Sequence, residues 1–255
     1  MEDSRTVKVY IVKNKKSPEI PATFGKCLLA ELGWTERQGH CEMEIYAKIT
    51  CNKLVLSKHR FYDAAKVQLH HNYPCNAWDH SHIDAKTIHN RKYVTVRLNV
   101  LMETAENKIL LQRKSLANYI YPLTWTLPGD SLEANETVWE CALKNFKYNC
   151  GIQLNKDLLH DVNLPLLYIW ESIYPFNSTE GYPIRHDAIV FTWLKLKDCQ
   201  QIRELSLNFQ PDLDYFDAFS FVNVELVASL LVRNKLPNLT SGVMNLSKDL
   251  NKFFK

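Results

Sequence analysis

The stretch between Leu123 and Ile152 restricts the fold more than any other part of this chain. An apolar run, Leu123 to Leu127, leads through a Pro128-Gly129 turn into a segment with helical periodicity. Val138, Cys141, Ala142, Leu143 and Phe146 recur at i, i+3 and i+4 spacing, which makes one apolar stripe. Thr137 stands where an N-cap belongs and Gly151 where a left-handed closing residue belongs. The spacing therefore predicts strand, tight turn and helix, with one helix face packed and another presented to a ligand. The presented face carries few acids.

Elements of both kinds flank this stretch. Residues 7–12 alternate as a strand, 22–32 read as a short helix ended by Gly33, and 42–50 with 53–57 read as a hairpin. These make a small N-terminal α+β module, residues 1–66, followed by a linker or surface loop over 67–91. A larger domain is expected over 92–240. Its strands are 93–102, 108–112, 123–127, 164–172, 187–197 and 217–222, with a second helix at 224–233. Residues 241–255 form a C-terminal helical tail, with its helix at 246–254. Strands on both sides of a central helix indicate an α+β chain, a mixed sheet in an α/β/α sandwich.

Composition narrows the functional classes. The chain has 255 residues, 46% hydrophobic and 23% charged, with 29 aromatic side chains against 7 glycines, as expected for a packed core. A formal charge of +3 without a Lys/Arg block gives no DNA-binding signal. Seven cysteines at 27, 41, 51, 75, 141, 150 and 199 include no CxxC pair, so reduced thiols and a cytoplasmic or nuclear location are expected. No apolar run approaches the ~20 residues of a membrane span, and the final Lys-Phe-Phe-Lys is not a peroxisomal address. Cys75, His80, His82 and His89 invite a zinc reading, but their spacing matches no standard pattern, and solvated or internally bonded histidines are expected.

The 123–152 stretch, with the order of elements around it, resembles the Nudix hydrolase family. That family's signature places a Gly, five residues, a Glu, seven residues, Arg-Glu, an apolar residue, any residue, Glu-Glu, any residue and a Gly. Leu127-Pro128-Gly129, Glu133, Glu136 and Gly151-Ile152 keep this spacing without a gap. Ile109 to Arg113 resembles the strand before the signature. Trp170-Glu171-Ser172 to Pro175, with Arg185-His186-Asp187, resembles the Nudix motif 17 subgroup. The resemblance implies an ancestry of pyrophosphohydrolases acting on capped mRNA or nucleoside diphosphate conjugates, with Mg²⁺ as cofactor if the protein is active.

The departures fall on the chemistry. Asp130 replaces a glycine, Lys144-Asn145 stands for Arg-Glu, and Tyr148-Asn149 for Glu-Glu. Carboxylates at 145, 148 and 149 would share one patch and hold the cations that neutralise phosphate and activate water. Asn145 and Asn149 offer neutral carbonyl oxygens, and Tyr148 is a poor Mg²⁺ ligand. In the family the Glu at 136 chiefly orients, paired with the Arg that Lys144 replaces. A late-loop base would fall at Tyr215, with Asp212, Asp214 and Asp217 nearby.

Three expectations follow. The first is a pseudoenzyme with impaired or absent hydrolysis that retains nucleotide, capped-RNA or protein binding. The second is an active NAD- or cap-directed hydrolase with relocated acids at Glu133, Glu136, Glu140 and Glu171. The third is a protein-interaction scaffold. Arg113, Trp125, Trp170, Arg185 and His186 are the candidate substrate contacts, since guanidinium and imidazole meet phosphates and indoles stack on bases. Glu133, Glu136 and Glu140 are the candidate metal ligands.

Overall fold

The computed structural model describes residues 5–35, 41–71, 75–79, 92–160, 163–175, 177–197 and 214–223. In chain order its elements are β1 (Lys8–Val12), β2 (Ile20–Pro21), α1 (Leu28–Glu31), β3 (Cys41–Ile49), β4 (Lys53–Ser57), β5 (Ala65–His71) and α2 (Asn76–Asp79). There follow β6 (Thr95–Glu103), β7 (Lys108–Lys114), β8 (Trp125–Thr126), β9 (Gly129–Ser131), α3 (Val138–Cys150), β10 (Leu166–Tyr174), β11 (Arg185–Lys195) and β12 (Phe216–Asn223). Long strands, few helices and both parallel and antiparallel pairs make this an α+β fold built on a mixed sheet. The chain divides into two compact units, and β6, β9, α3 and β11 each run across the division.

The first unit contains Met1–Leu98, Asp130–Cys141 and Leu166–Phe191. Its strand order is β2-β1-β4-β3-β5-β10. Alternating apolar residues explain this half: Val9 and Ile11 of β1, Ile45 of β3, Leu54 and Leu56 of β4 and Leu69 of β5 are all buried. β5 pairs in parallel with β10, Gln68 opposite Tyr168 and His71 opposite Glu171. Tyr168 of β10 stacks on Phe191 with centroids 4.2 Å apart.

Two readings of the sequence change here and a third holds. Residues 67–91, expected as linker or surface loop, begin inside β5, because Val67 and Leu69 alternate into the core and β3 and β10 take up the strand's backbone groups. The helix expected over 22–32 shrinks to Leu28–Glu31. Its earlier amides are committed elsewhere: Ala22 N–H donates to the Val9 carbonyl and Phe24 N–H to the Lys92 carbonyl. The hairpin forms as expected, with β3 and β4 antiparallel and Ile49 opposite Leu54.

The second unit contains Asn99–Gly129, Ala142–Pro165 and Thr192–Lys255. Here β7 lies between β6 and β12, and β12 runs antiparallel to β7 from Phe216–Lys114 to Asn223–Lys108. Ile109, Leu110 and Leu111 of β7 are buried with Phe146 and Cys150 of α3. The strand expected over 123–127 contracts to Trp125–Thr126, since Leu123 takes a left-handed conformation at φ 56°. The helices expected at 224–233 and 246–254 lie outside the described residues.

The cap expected for α3 is present. The Glu140 N–H donates to Thr137 Oγ1 (3.2 Å), and the Thr137 N–H donates back to Glu140 Oε2 (2.8 Å). This reciprocal box satisfies amides that no helical turn can reach. At the other end Gly151 sits at φ 65°, and Ile152 N–H bonds the Phe146 carbonyl at 2.8 Å. Thr137→Ala should therefore destabilise the fold by about 1 kcal/mol, read as a lower urea midpoint at unchanged slope.

Candidate functional site

Helix α3 shows what has become of the positions singled out by the sequence. Asn145 is 1% exposed, and its Oδ1 accepts from Asn149 Nδ2 at 2.9 Å. Tyr148 is 63% exposed, with the Lys147 ammonium 5.4 Å from its ring centre, and Lys144 is half-buried. Two amides one turn apart thus bind each other, and the buried oxygen is neutral. Of the neighbouring acids, Glu136 Oε2 accepts from the Glu133 N–H (3.0 Å), and Glu140 Oε2 accepts from both the N–H and the hydroxyl of Thr137. Those bonds hold the Glu140 carboxyl below its usual range, the Thr137 amide contributing most.

Among the described residues a dense arrangement of titratable groups lies elsewhere, wholly inside the first unit. Glu171, at the middle of β10, has a side chain with no exposure. Its Oε1 accepts from the Leu28 N–H (2.7 Å) and bonds His186 Nε2 (2.9 Å). His186 Nδ1 accepts the Gly25 N–H at 3.2 Å, so the ring proton sits on Nε2 and points at the carboxylate. The other oxygen, Oε2, lies 3.3 Å from His71 Nδ1 and accepts the Cys27 thiol at 3.4 Å. Cys27 Sγ is in turn 3.3 Å from His71 Nδ1. Cys75, in the residue before α2, completes the group, and the donor atoms of Cys27, His71 and Cys75 lie within 4.8 Å of one another.

Protonation in this group follows from mutual pairing in a dry interior. Burial pushes the Glu171 carboxyl upward, yet the bonds to His186 and His71 outweigh it and bring it to about 2. Burial alone would lower His71, but Cys75 and Glu171 raise it to about 11. The Cys27 thiol beside Cys75, aided by His71, lowers Cys75 to about 6, while burial raises Cys27 itself. A second cluster in the same unit surrounds Asp187, which accepts from Thr95 Oγ1 and from Arg185 Nε, each at 2.5 Å.

Residues 94–240, more than half the chain, match the family model described as the NUDIX domain. The chain belongs to the Nudix family. Among curated relatives, "m7GpppN-mRNA hydrolase NUDT17" of Danio rerio is 30% identical over 138 residues, covering 54% of this chain and 44% of that protein. The protein of the same name from Xenopus laevis is 24% identical over 239 residues, 91% of this chain and 75% of its own length. The chain thus spans less than half of the zebrafish relative. Among solved structures, the NUDIX domain of Shewanella oneidensis NrtR complexed with ADP ribose aligns at 12% identity, covering 70% of this chain and 98% of that one with a TM-score of 0.45. The MutT protein from Methanosarcina mazei Go1 aligns at 14% identity, 63% and 94% coverage and a TM-score of 0.43.

In this Nudix chain the residues picked from the sequence are divided between the two units. Arg113 donates to Asp217 (2.7 Å) and lies 5.8 Å from the Trp125 ring, on the surface of the second unit. In the first unit Trp170 is buried, Arg185 is bound to Asp187, and His186 is buried against Glu171. Glu136 and Glu140 are held on the Glu133 and Thr137 amides. Among the described residues the group that gathers three or more metal-donor side chains is Cys27, His71 and Cys75. Cys75 therefore meets partners other than those its neighbourhood suggested, while His80, His82, His89 and Asp212 lie outside the described residues. Sequence spacing shows only the His71–Cys75 pair, four positions apart, since Cys27 is 44 positions from His71 and 144 from Glu171.

Asp187 supplies a pH test. Burial acts to raise its carboxyl, but Arg185 and then Arg97, with the Thr95 and Arg185 bonds, bring it below the ordinary 3.8. A lowered native value means that its contribution is present above about pH 4 and is lost as pH falls through that value. Asp187→Asn should accordingly flatten the acid limb of urea midpoint against pH below about pH 4, and lower the midpoint at neutrality.

Proposed function

We propose that this chain is a Nudix-fold protein of capped-mRNA or nucleoside-diphosphate hydrolase descent whose Mg²⁺-dependent hydrolysis is impaired or absent, and which binds a nucleotide or a protein partner. The carrying observation is the Asn145–Asn149 amide pair on α3. Phosphoryl chemistry on a Nudix helix needs anionic oxygens on successive turns, and here a buried neutral oxygen is already engaged. This donor set does not fit Mg²⁺. Replacing even one such acid removes on the order of 3 kcal/mol of charge stabilisation.

Retained binding draws support from the second unit. Arg113 spans Asp217 and the Trp125 ring, and with about a third of its side chain exposed it offers a guanidinium beside an aromatic face to a phosphate and a base. The names of the relatives favour a capped RNA or a related nucleotide as that ligand. Relocated catalytic acids have less support: Glu136 and Glu140 are held on backbone amides, and Glu171 is sealed between two histidines. An intracellular setting belongs to the same proposal, and the buried thiols Cys27, Cys75, Cys141 and Cys150 would suit it.

The test is multiple-turnover hydrolysis of m7G-capped RNA with millimolar Mg²⁺, run beside thermal shifts with cap analogue. Turnover far below about 1 s⁻¹ is expected, together with a ligand-induced rise in Tm that Arg113→Ala reduces. Mg²⁺-dependent turnover above about 1 s⁻¹ would reject the pseudoenzyme. Slow turnover without any nucleotide shift would leave the scaffold reading in its place.

A further inference from the structure

We propose that Cys27, His71, Cys75 and Glu171 form a structural zinc site, with a role separate from Nudix chemistry. Three of the four donors already stand at ligand-to-ligand distances. Cys27 Sγ, His71 Nδ1 and Glu171 Oε2 make a triangle with edges of 3.3, 3.3 and 3.4 Å. Zinc at ~2.3 Å from sulfur and ~2.0–2.1 Å from nitrogen and oxygen, in tetrahedral array, needs sulfur–nitrogen and sulfur–oxygen edges of about 3.6 Å and a nitrogen–oxygen edge of about 3.3 Å. The triangle is one face of such a tetrahedron to within a few tenths of an ångström. Cys75 brings a second sulfur within 4.8 Å of the Cys27 and His71 donor atoms, and would swing toward the carboxylate to close the fourth corner when the ion binds.

The orientation of His71 points the same way. Its ring is buried and its Nε2 meets no hydrogen-bond partner, whereas Nδ1 is turned to Cys27 and Glu171. A ring held for packing alone would gain by satisfying Nε2. This one leaves that atom unsatisfied and presents the other nitrogen to a thiol and a carboxylate. The remaining oxygen of Glu171 is fixed by the Leu28 amide and by His186, which Gly25 orients through its amide. Buttressing of a ligand by a second layer of hydrogen bonds is what holds metal-site geometry.

Donor chemistry selects the ion. Two sulfurs, one imidazole and one carboxylate suit zinc, since Mg²⁺ and Ca²⁺ favour oxygen ligands and Cu(I) favours thiolate without carboxylate. Four protein donors in a region closed to water leave no open coordination position, so the role is structural. The ion would join the start of α1, the end of β5, the approach to α2 and the middle of β10, all in the first unit.

The full chain, purified in reductant and stripped with chelator, is titrated with ZnCl₂ and, separately, with CoCl₂ under nitrogen. About one zinc per chain is expected, with a rise in Tm that chelator reverses, and the cobalt form should show the intense visible bands of tetrahedral thiolate ligation. Cys27→Ser and Cys75→Ser should each weaken zinc at least ~10-fold, and Cys51→Ser should bind as the parent does. Cobalt spectra of the parent decide the matter even where a cysteine variant fails to fold. A folded parent that takes up no zinc, a cobalt spectrum without thiolate bands, or zinc uptake undiminished in the folded double variant would overturn the proposal. So would a reduced parent that ignores zinc while air oxidation links Cys27 to Cys75.

Discussion

A carboxylate sealed from water is tolerable only if every lone pair it exposes to the interior is met. Glu171 meets that condition with a backbone amide, two imidazoles and a thiol, drawn from the approach to α1, from β5 and from β11. The consequence for the first unit is positional. The Cys27–Leu28 peptide cannot shift without stranding an oxygen of Glu171, and β5 cannot slip by one residue against β10 without turning His71 away from it. Apolar burial compacts this unit, but it tolerates small slips that the carboxylate does not.

Among its described residues the second unit has no equivalent centre of charge of that depth. Its buried acid, Glu103, is met by the Trp193 indole and the Lys195 ammonium at 2.9 Å each, and both partners lie along one strand. Its remaining order rests on β7 held between neighbours and on the apolar stripe of α3. The part of the Nudix helix that carries Asn145, Tyr148 and Asn149 belongs to this unit, and its polar groups are arranged for self-satisfaction. An amide that binds its own neighbour one turn away is content in a dry place without a cation.

How much of this was legible depended on distance along the chain. The turn, cap and closing glycine of α3 are local, so Pro128, Thr137 and Gly151 announced them, and the 41–57 hairpin was equally plain from alternation. β5 was hidden because His70 and His71 look solvent-loving, although burial against β3 and β10 makes them interior residues. The 22–32 helix was overstated because helical spacing says nothing of amides already claimed by β1 and by Lys92. The Glu171 cluster could not be read at all. Its members come from four separate segments, and only tertiary pairing gives a lone Cys, a His in a doublet and a Glu in a strand a common purpose.

The parallel pairing of β5 with β10 has a bearing on how the polypeptide acquires its shape. Gln68 must find Tyr168, so about a hundred residues have to emerge before that ladder can close. Until then the outer rim of the N-terminal strands presents unpaired amides and carbonyls beside Val67 and Leu69, an adhesive edge for any other extended chain. The N-terminal strands are in this sense unfinished without β10. A cell that makes this protein would gain from a chaperone over that interval, and a fragment ending before Leu166 would be left with the edge permanently open.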